Sequence, residues 1–300
     1  MNLQRLVWRL AALPPVRLFS ILRSKRQLKR WRAQHPGAPF ANFYAERIER
    51  KLGKGLSHTT LGAHGWQAGD DSPVEWNRKS FAQRGLQPWN DIVALGLTPD
   101  MRCVDYGCGS LRLGQHAIRY LNVGNYYGID VTDSFINTGL ELVDPELVKS
   151  KVPRLATITG EVLRDIRAWE PDFIFSNAVL QHVPPEELSL FFERLESMMA
   201  HHTRAYILYI TGERLQRFDS MSWSYPGEYI RAAARRAAPS LNIAEKSIHQ
   251  SRRGDGRHRE VLLLEGSASR PETVPRSFIP SHSQKERRYD QRQGGRPAIR

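Results

Sequence analysis

Short, nearly continuous apolar runs recur along the middle of the chain, at 102–106, 126–130, 156–159, 172–176, 205–210, 241–248 and 261–265. Between them lie stretches with helical spacing near 111–121, 133–141, 185–200 and 226–238. Apolar runs of strand length alternating with helical segments predict buried parallel strands joined by crossover helices. The fold class expected is therefore α/β: a doubly wound, seven-stranded, mostly parallel sheet with helices on both faces, plus an N-terminal helical extension. No run reaches the 18 or so apolar residues a membrane-spanning helix needs.

The ends of the chain follow a different pattern. Leu3, Leu6, Val7 and Leu10 recur at helical spacing with Arg5 and Arg9 between them, and Pro14 and Pro15 then break the pattern. A second apolar patch (Val16, Leu18, Phe19, Ile21, Leu22) runs into a basic cluster from Arg23 to Arg32. Residues 53–73 read as loop, and 73–96 as a mixed helical stretch ending at Gly96 with Pro99 beyond. After Gly266 the chain turns to Ser, Pro, Arg and Gln without periodicity, the composition of a disordered tail. The organisation expected is a basic amphipathic extension at 1–45, a loop and helical lead-in at 46–84, an α/β domain at 85–266 and a disordered basic tail at 267–300.

Charge changes this picture through its location. The net charge is +13, but residues 1–45 carry nine Lys/Arg and no acid, and 270–300 carry eight Lys/Arg and three acids, which leaves the rest near neutral. The basic ends suit anionic surfaces of several kinds. Residues 1–34 are expected to lie on an anionic membrane surface; packing on the domain and an organelle transit segment are the alternatives. The two cysteines, Cys103 and Cys108, form neither a disulfide framework nor a zinc set, so no metal is expected, and a reducing setting follows. The location expected is cytoplasmic, peripheral on the inner face of a membrane.

The chemistry centres on the run VDYGCGSLRLG at 104–114, which joins a strand to a helix through a turn holding Gly107 and Gly109. Glycine there lets backbone approach a ligand, and the helix N-terminus beyond offers free N–H groups. Asp105 at the strand end would repel a phosphate and welcome a cationic amino group. Asp130 ends the next strand, 25 residues on, where an acid can accept both hydroxyls of a ribose. The glycine spacing does not match the pyrophosphate fingerprint G-x-G-x-x-G. The third strand leads into Thr159-Gly160-Glu161-Val162, and the fourth reads DFIFSNAVLQHV from Asp172. A parallel sheet brings these strand ends to one edge.

VDYGCGSLRLG resembles the first motif of class I S-adenosylmethionine-dependent methyltransferases, YYGIDVTDSFI resembles the second and PDFIFSNAVLQHV the fourth. The resemblance spans about 88–265 and implies a Rossmann-like sheet with S-adenosyl-L-methionine as cofactor. It implies that Asp105 orients the methionine amino group, that Gly107 and Gly109 lie against the methionine and ribose, and that Asp130 binds the ribose hydroxyls. Glu161 would meet the adenine amino group, the Val162 N–H the ring, and Ser176 and Asn177 the methionine and sulfonium. The family more often has Asp where Glu161 stands.

Around this set, Arg112 either reaches the methionine carboxylate or pairs with an acid. His182 is the candidate general base, with a structural role as its rival. Trp223, Tyr225 and Tyr229 either cap a substrate or pack on the sheet. The activity expected is methyl transfer to an O or N nucleophile of a small-molecule, glycan or lipid-linked acceptor. An RNA or protein methyltransferase using the basic tails is one alternative, since nucleic acid is not excluded, and a non-catalytic membrane-associated module is another.

Overall fold

The computed structural model describes residues 14–52, 73–244, 248–252 and 258–267. The apolar repeat at 3–10, the loop at 53–72 and the tail from 268 onward lie outside these residues.

The middle of the sheet is built from strands buried along their length: β1 (Cys103–Tyr106), β2 (Tyr126–Asp130) and β4 (Phe173–Asn177, where only the final Asn is less than fully buried), with β3 (Arg154–Thr157) at the edge. In β5 (Arg204–Thr211) only the first residue is exposed. Such continuous apolar runs suit parallel strands covered on both faces. The order is β3-β2-β1-β4-β5-β10-β8, with β8 at Asn242–Ile243 and β10 at His258–Glu265. β1 to β5 are parallel, and β10 runs antiparallel to β5.

The sixth strand expected at 241–248 is divided. β8 takes its first part, and β9 (Ile248–Arg252) pairs with β10 as an eighth strand off the main path. A separate hairpin, β6 (Gln216–Asp219) with β7 (Ser222–Ser224), stands where only a capping loop was expected.

Helices cover both faces. One core cluster joins α1 (Pro14–Gln34), α2 (Phe40–Leu52), α7 (Gly160–Trp169), α8 (Leu188–Met198) and α9 (Gly227–Ala237) to the sheet. The other joins α3 (Pro73–Val93), α4 (Gly114–Tyr120), α5 (Asp133–Leu140) and α6 (Pro145–Lys151). Leu28, Trp31, Phe40, Phe43 and Ile48 share one core with the sheet, so residues 14–52 belong to the same packed body. Pro14 begins α1, since a helix tolerates proline in its first turn.

Two expected boundaries move for local reasons. The helix expected from 111 starts at Gly114, because buried Leu111 takes a left-handed φ of 60°. β3 ends at Thr157, because Thr159 leaves the strand to cap α7: its hydroxyl accepts the Val162 N–H at 3.2 Å.

Candidate active site

The carboxyl ends of β1, β2, β4 and β5 open into one cavity of about 910 Å³, at the point where the strand order reverses between β1 and β4. Asp105, Gly107, Gly109, Asp130, Asn177 and His182 line it; Glu161, Val162 and Ser176 do not. Glu161 is exposed in the first turn of α7. The Val162 N–H is already bonded to Thr159, so it is not free for an adenine ring. Ser176 is fully buried at the end of β4 with its hydroxyl unpartnered. Ile158, Val131 and Phe135 provide the cavity wall beyond β2 and β3.

The two acids are held differently. Asp105 is 3% exposed, and one oxygen accepts the Tyr126 hydroxyl at 2.9 Å. Burial pushes its carboxyl up to about 7, against the lowering effect of that bond. Asp130 accepts the Gly109 N–H on one oxygen and the Val131 N–H on the other, each at 2.8 Å. Burial raises it to about 6, against its backbone bonds. Both sites favour a cation or a hydrogen-bond donor from a ligand.

The glycines divide their work. A Cβ on Gly107, at φ +88°, would stand 2.3 Å from Val179 Cγ2, so this turn packs against the residues after β4. Gly109, at φ +54°, has open space where a Cβ would point. Ser110 Oγ and Gln181 Oε1, both of residues lining the cavity, are buried without a partner.

His182 ends a short 3₁₀ turn (Leu180–His182) after β4. Its Nδ1 lies 2.9 Å from the Met221 carbonyl, which can only accept, so Nδ1 carries the proton. Nε2 is then the basic nitrogen, and Gln181 Nε2 donates to it at 3.2 Å. Burial lowers the imidazole below its ordinary value, partly offset by the Met221 bond, so the ring is neutral at neutral pH.

One wall of this cavity carries no mark in the sequence. α2 brings Phe40, Ala41 and Tyr44 to its lining, with the Tyr44 ring 5.4 Å from that of His182. Burial, followed by the charges of Asp130 and Asp219, pushes the Tyr44 phenol up, so it stays a donor. α2 is held in place by Glu49, which accepts the Thr132 hydroxyl at 2.8 Å, and by Glu187, which accepts the Phe40 N–H at 2.5 Å. Trp223 packs edge-on to Phe40 at 5.4 Å, beneath the Arg217 guanidinium. Tyr225 is fully buried and donates to the Val183 carbonyl. Neither of these rings lines the cavity, and Tyr229 does not either. Among the described residues no cluster of three or more His, Cys, Asp or Glu could hold a metal ion, and both cysteines are free and buried.

No protein-family model matches the chain, and no curated protein matches it in sequence. Solved structures do. Magnesium protoporphyrin IX methyltransferase from Synechocystis PCC 6803 aligns at 17% identity over 76% of this chain and 95% of that one, with a TM-score of 0.48. A TehB-like SAM-dependent methyltransferase from Corynebacterium glutamicum aligns at 14% over 63% and 100%, with a TM-score of 0.40. The methyltransferase domain of bacterial CtHen1 aligns at 14% over 62% and 98%, with a TM-score of 0.44. By its strand order, its antiparallel β10 and the acid-flanked glycine turn after β1, the chain has the Rossmann-like fold of class I S-adenosylmethionine-dependent methyltransferases.

Proposed function

We propose that this chain is an S-adenosylmethionine-dependent methyltransferase acting on an O or N nucleophile of a small-molecule, glycan or lipid-linked acceptor. One observation carries the reading: two buried carboxylates at adjoining strand ends face a cavity beside a glycine turn with open space over Gly109. The donor set fits that cofactor. Asp105 suits an ammonium group, Asp130 a ribose diol, and the unpartnered Ser110 and Gln181 atoms suit further polar contacts.

When bound, S-adenosylmethionine supplies an electrophilic methyl group on a sulfonium. The chain's own part is alignment, exclusion of water and removal of a proton. Asp105 would hold the methionine amino group and Asp130 the ribose diol of the cofactor, Phe40 and Tyr44 wall the cavity, and Tyr44 offers a hydroxyl to the acceptor. His182 Nε2 takes the acceptor proton once the acceptor hydroxyl or amine replaces the Gln181 amide as its partner. The Met221 carbonyl, bonded to Nδ1–H, keeps the ring in the tautomer this needs.

The outer face of α1 favours a membrane-presented acceptor. Ser24, Leu28 and Trp31 face the core, while Leu18, Phe19 and Leu22 are 57%, 65% and 46% exposed. The exposed face continues through Arg23, Lys25, Arg26, Lys29 and Arg30, and the helix carries no acid. Apolar side chains followed by cations suit an anionic lipid surface. Among the described residues no helix is long and apolar enough to cross a membrane. A methyl-transfer screen with labelled S-adenosylmethionine over small-molecule, lipid, glycan and RNA fractions tests the proposal. Label in a small-molecule, lipid or glycan fraction is expected; label confined to RNA, or in no fraction, would overturn it.

A further inference from the structure

We infer that the acceptor is an anion, whose carboxylate or phosphate docks between Arg112 and Arg259. This rests on the methyltransferase reading and deepens it. Both arginines line the cavity and both are half-buried. Neither has an acidic partner among the described residues. A third arginine stands close by. α3 packs so tightly on the turn before α4 that a Cβ on Gly85 would lie 2.1 Å from the Arg112 carbonyl oxygen, and Arg84 is the preceding residue. Burial, then the charges of Arg84 and Arg259, push the Arg112 guanidinium down. A half-buried pair of like charges without a counterion is costly, and a bound anion removes that cost.

Strand order says which ligand brings the anion. Asp105 and Asp130, which suit the cofactor, end β1 and β2. Arg259 pairs with Ile210 at the far end of β5, so it lies three strand spacings from β1 across β4, β5 and β10. At about 4.8 Å per spacing that is roughly 14 Å. β10 alternates its faces: Val261 joins the core cluster under α3 and α4, and Leu262 the opposite one. Arg259 therefore shares the face from which α3 and α4 bring Arg84 and Arg112. Asp105 and Asp130 on one side and Arg259 on the other flank one cavity, with Arg112 on the turn that follows β1; the acids are placed for a cationic nucleoside and Arg259 for an anionic partner.

The test titrates the whole chain by calorimetry with S-adenosylmethionine, with its decarboxylated form, and with inorganic phosphate or acetate in the presence and absence of cofactor. Arg259→Gln is expected to weaken phosphate or acetate by roughly ten- to a hundredfold, the scale of a lost charge-assisted bond, and to leave S-adenosylmethionine within about twofold. Arg259→Lys, which keeps the charge, should retain most of the anion affinity and guards against a folding defect. Unchanged anion binding in Arg259→Gln would overturn the inference. So would a loss of S-adenosylmethionine affinity in Arg259→Gln that the decarboxylated form does not share, since the arginines would then serve the cofactor's own carboxylate. A native chain that binds phosphate at Arg259 but not S-adenosylmethionine would refute the methyltransferase reading and leave the anion site standing.

Discussion

Cofactor affinity should depend steeply on pH through Asp105. Its carboxyl, buried with one hydrogen bond from Tyr126, is raised to about 7 in the unliganded protein. An ammonium group binds the ionised form only. For an acid of that value the ionised fraction falls from about one half at pH 7 to about one hundredth at pH 5, so affinity should drop about fiftyfold, or roughly 2 kcal/mol. Asp130, at about 6, steepens the lower end of this limb if its ionised form is also required. The free amino group of the ligand loses its proton near about 8, so the informative window is pH 5 to 7.5. Calorimetric titration with S-adenosylhomocysteine, which carries the same amino group, measures the effect without turnover. Two variants sharpen it. Asp105→Asn should bind weakly and lose this limb. Tyr126→Phe removes the bond that holds the carboxyl down and should move the midpoint upward. Affinity that stays flat between pH 5 and 7 in the native protein, or a midpoint unmoved by Tyr126→Phe, would refute the placement of the ammonium at Asp105.

Other expectations follow from packing and exposure. Gly109→Ala should cost only about 1–2 kcal/mol of stability for its left-handed backbone, yet block the cofactor, because its methyl enters open cavity space. Gly107→Ala should lose a further 1–3 kcal/mol or so by overpacking against Val179; thermal melts with and without cofactor separate the two. Replacing Leu18, Phe19 and Leu22 together by Ser should release the protein from anionic vesicles without lowering its melting temperature, and added salt should weaken native binding; equal vesicle recovery would remove the membrane from the account. His182→Ala should lower turnover about 10²–10⁴-fold with cofactor affinity nearly intact. Because burial depresses the imidazole, the rising limb of the native pH–rate profile should lie below about 6.5 and vanish in the variant; near-native turnover would instead point to an acceptor needing no base.

The strand ends were legible because β1, β2, β4 and β5 are nearly unbroken apolar runs, and glycines and acids stand out where such runs stop. Asp105, Gly107, Gly109, Asp130, Asn177 and His182 reach one cavity for that reason. The end of β3 was misplaced because Thr159 reads equally as the end of a β-branched strand and as a helix cap, and the cap wins. The signal was present: a threonine, a favoured cap residue, directly before Gly160, with the acid Glu161 in the first turn. The left-handed turn at Leu111 had no signal, since nothing marks a buried leucine for positive φ. The wall formed by α2 was hidden for another reason. Phe40 and Tyr44 lie more than 60 residues before the glycine turn, and only tertiary contacts such as Glu49 with Thr132 bring α2 over the site. Arg259 likewise looked like one more basic residue until its strand proved to be neighbour to β5.

The central claim is tested most directly by titrating the full chain with S-adenosylmethionine in a calorimeter, with Asp130→Ala alongside. The account predicts a single saturable site in the native protein and a loss of about 1–3 kcal/mol in the variant, whose circular dichroism should remain native. No binding by a folded native chain, or equal binding by the native chain and the Asp130 variant, would contradict it.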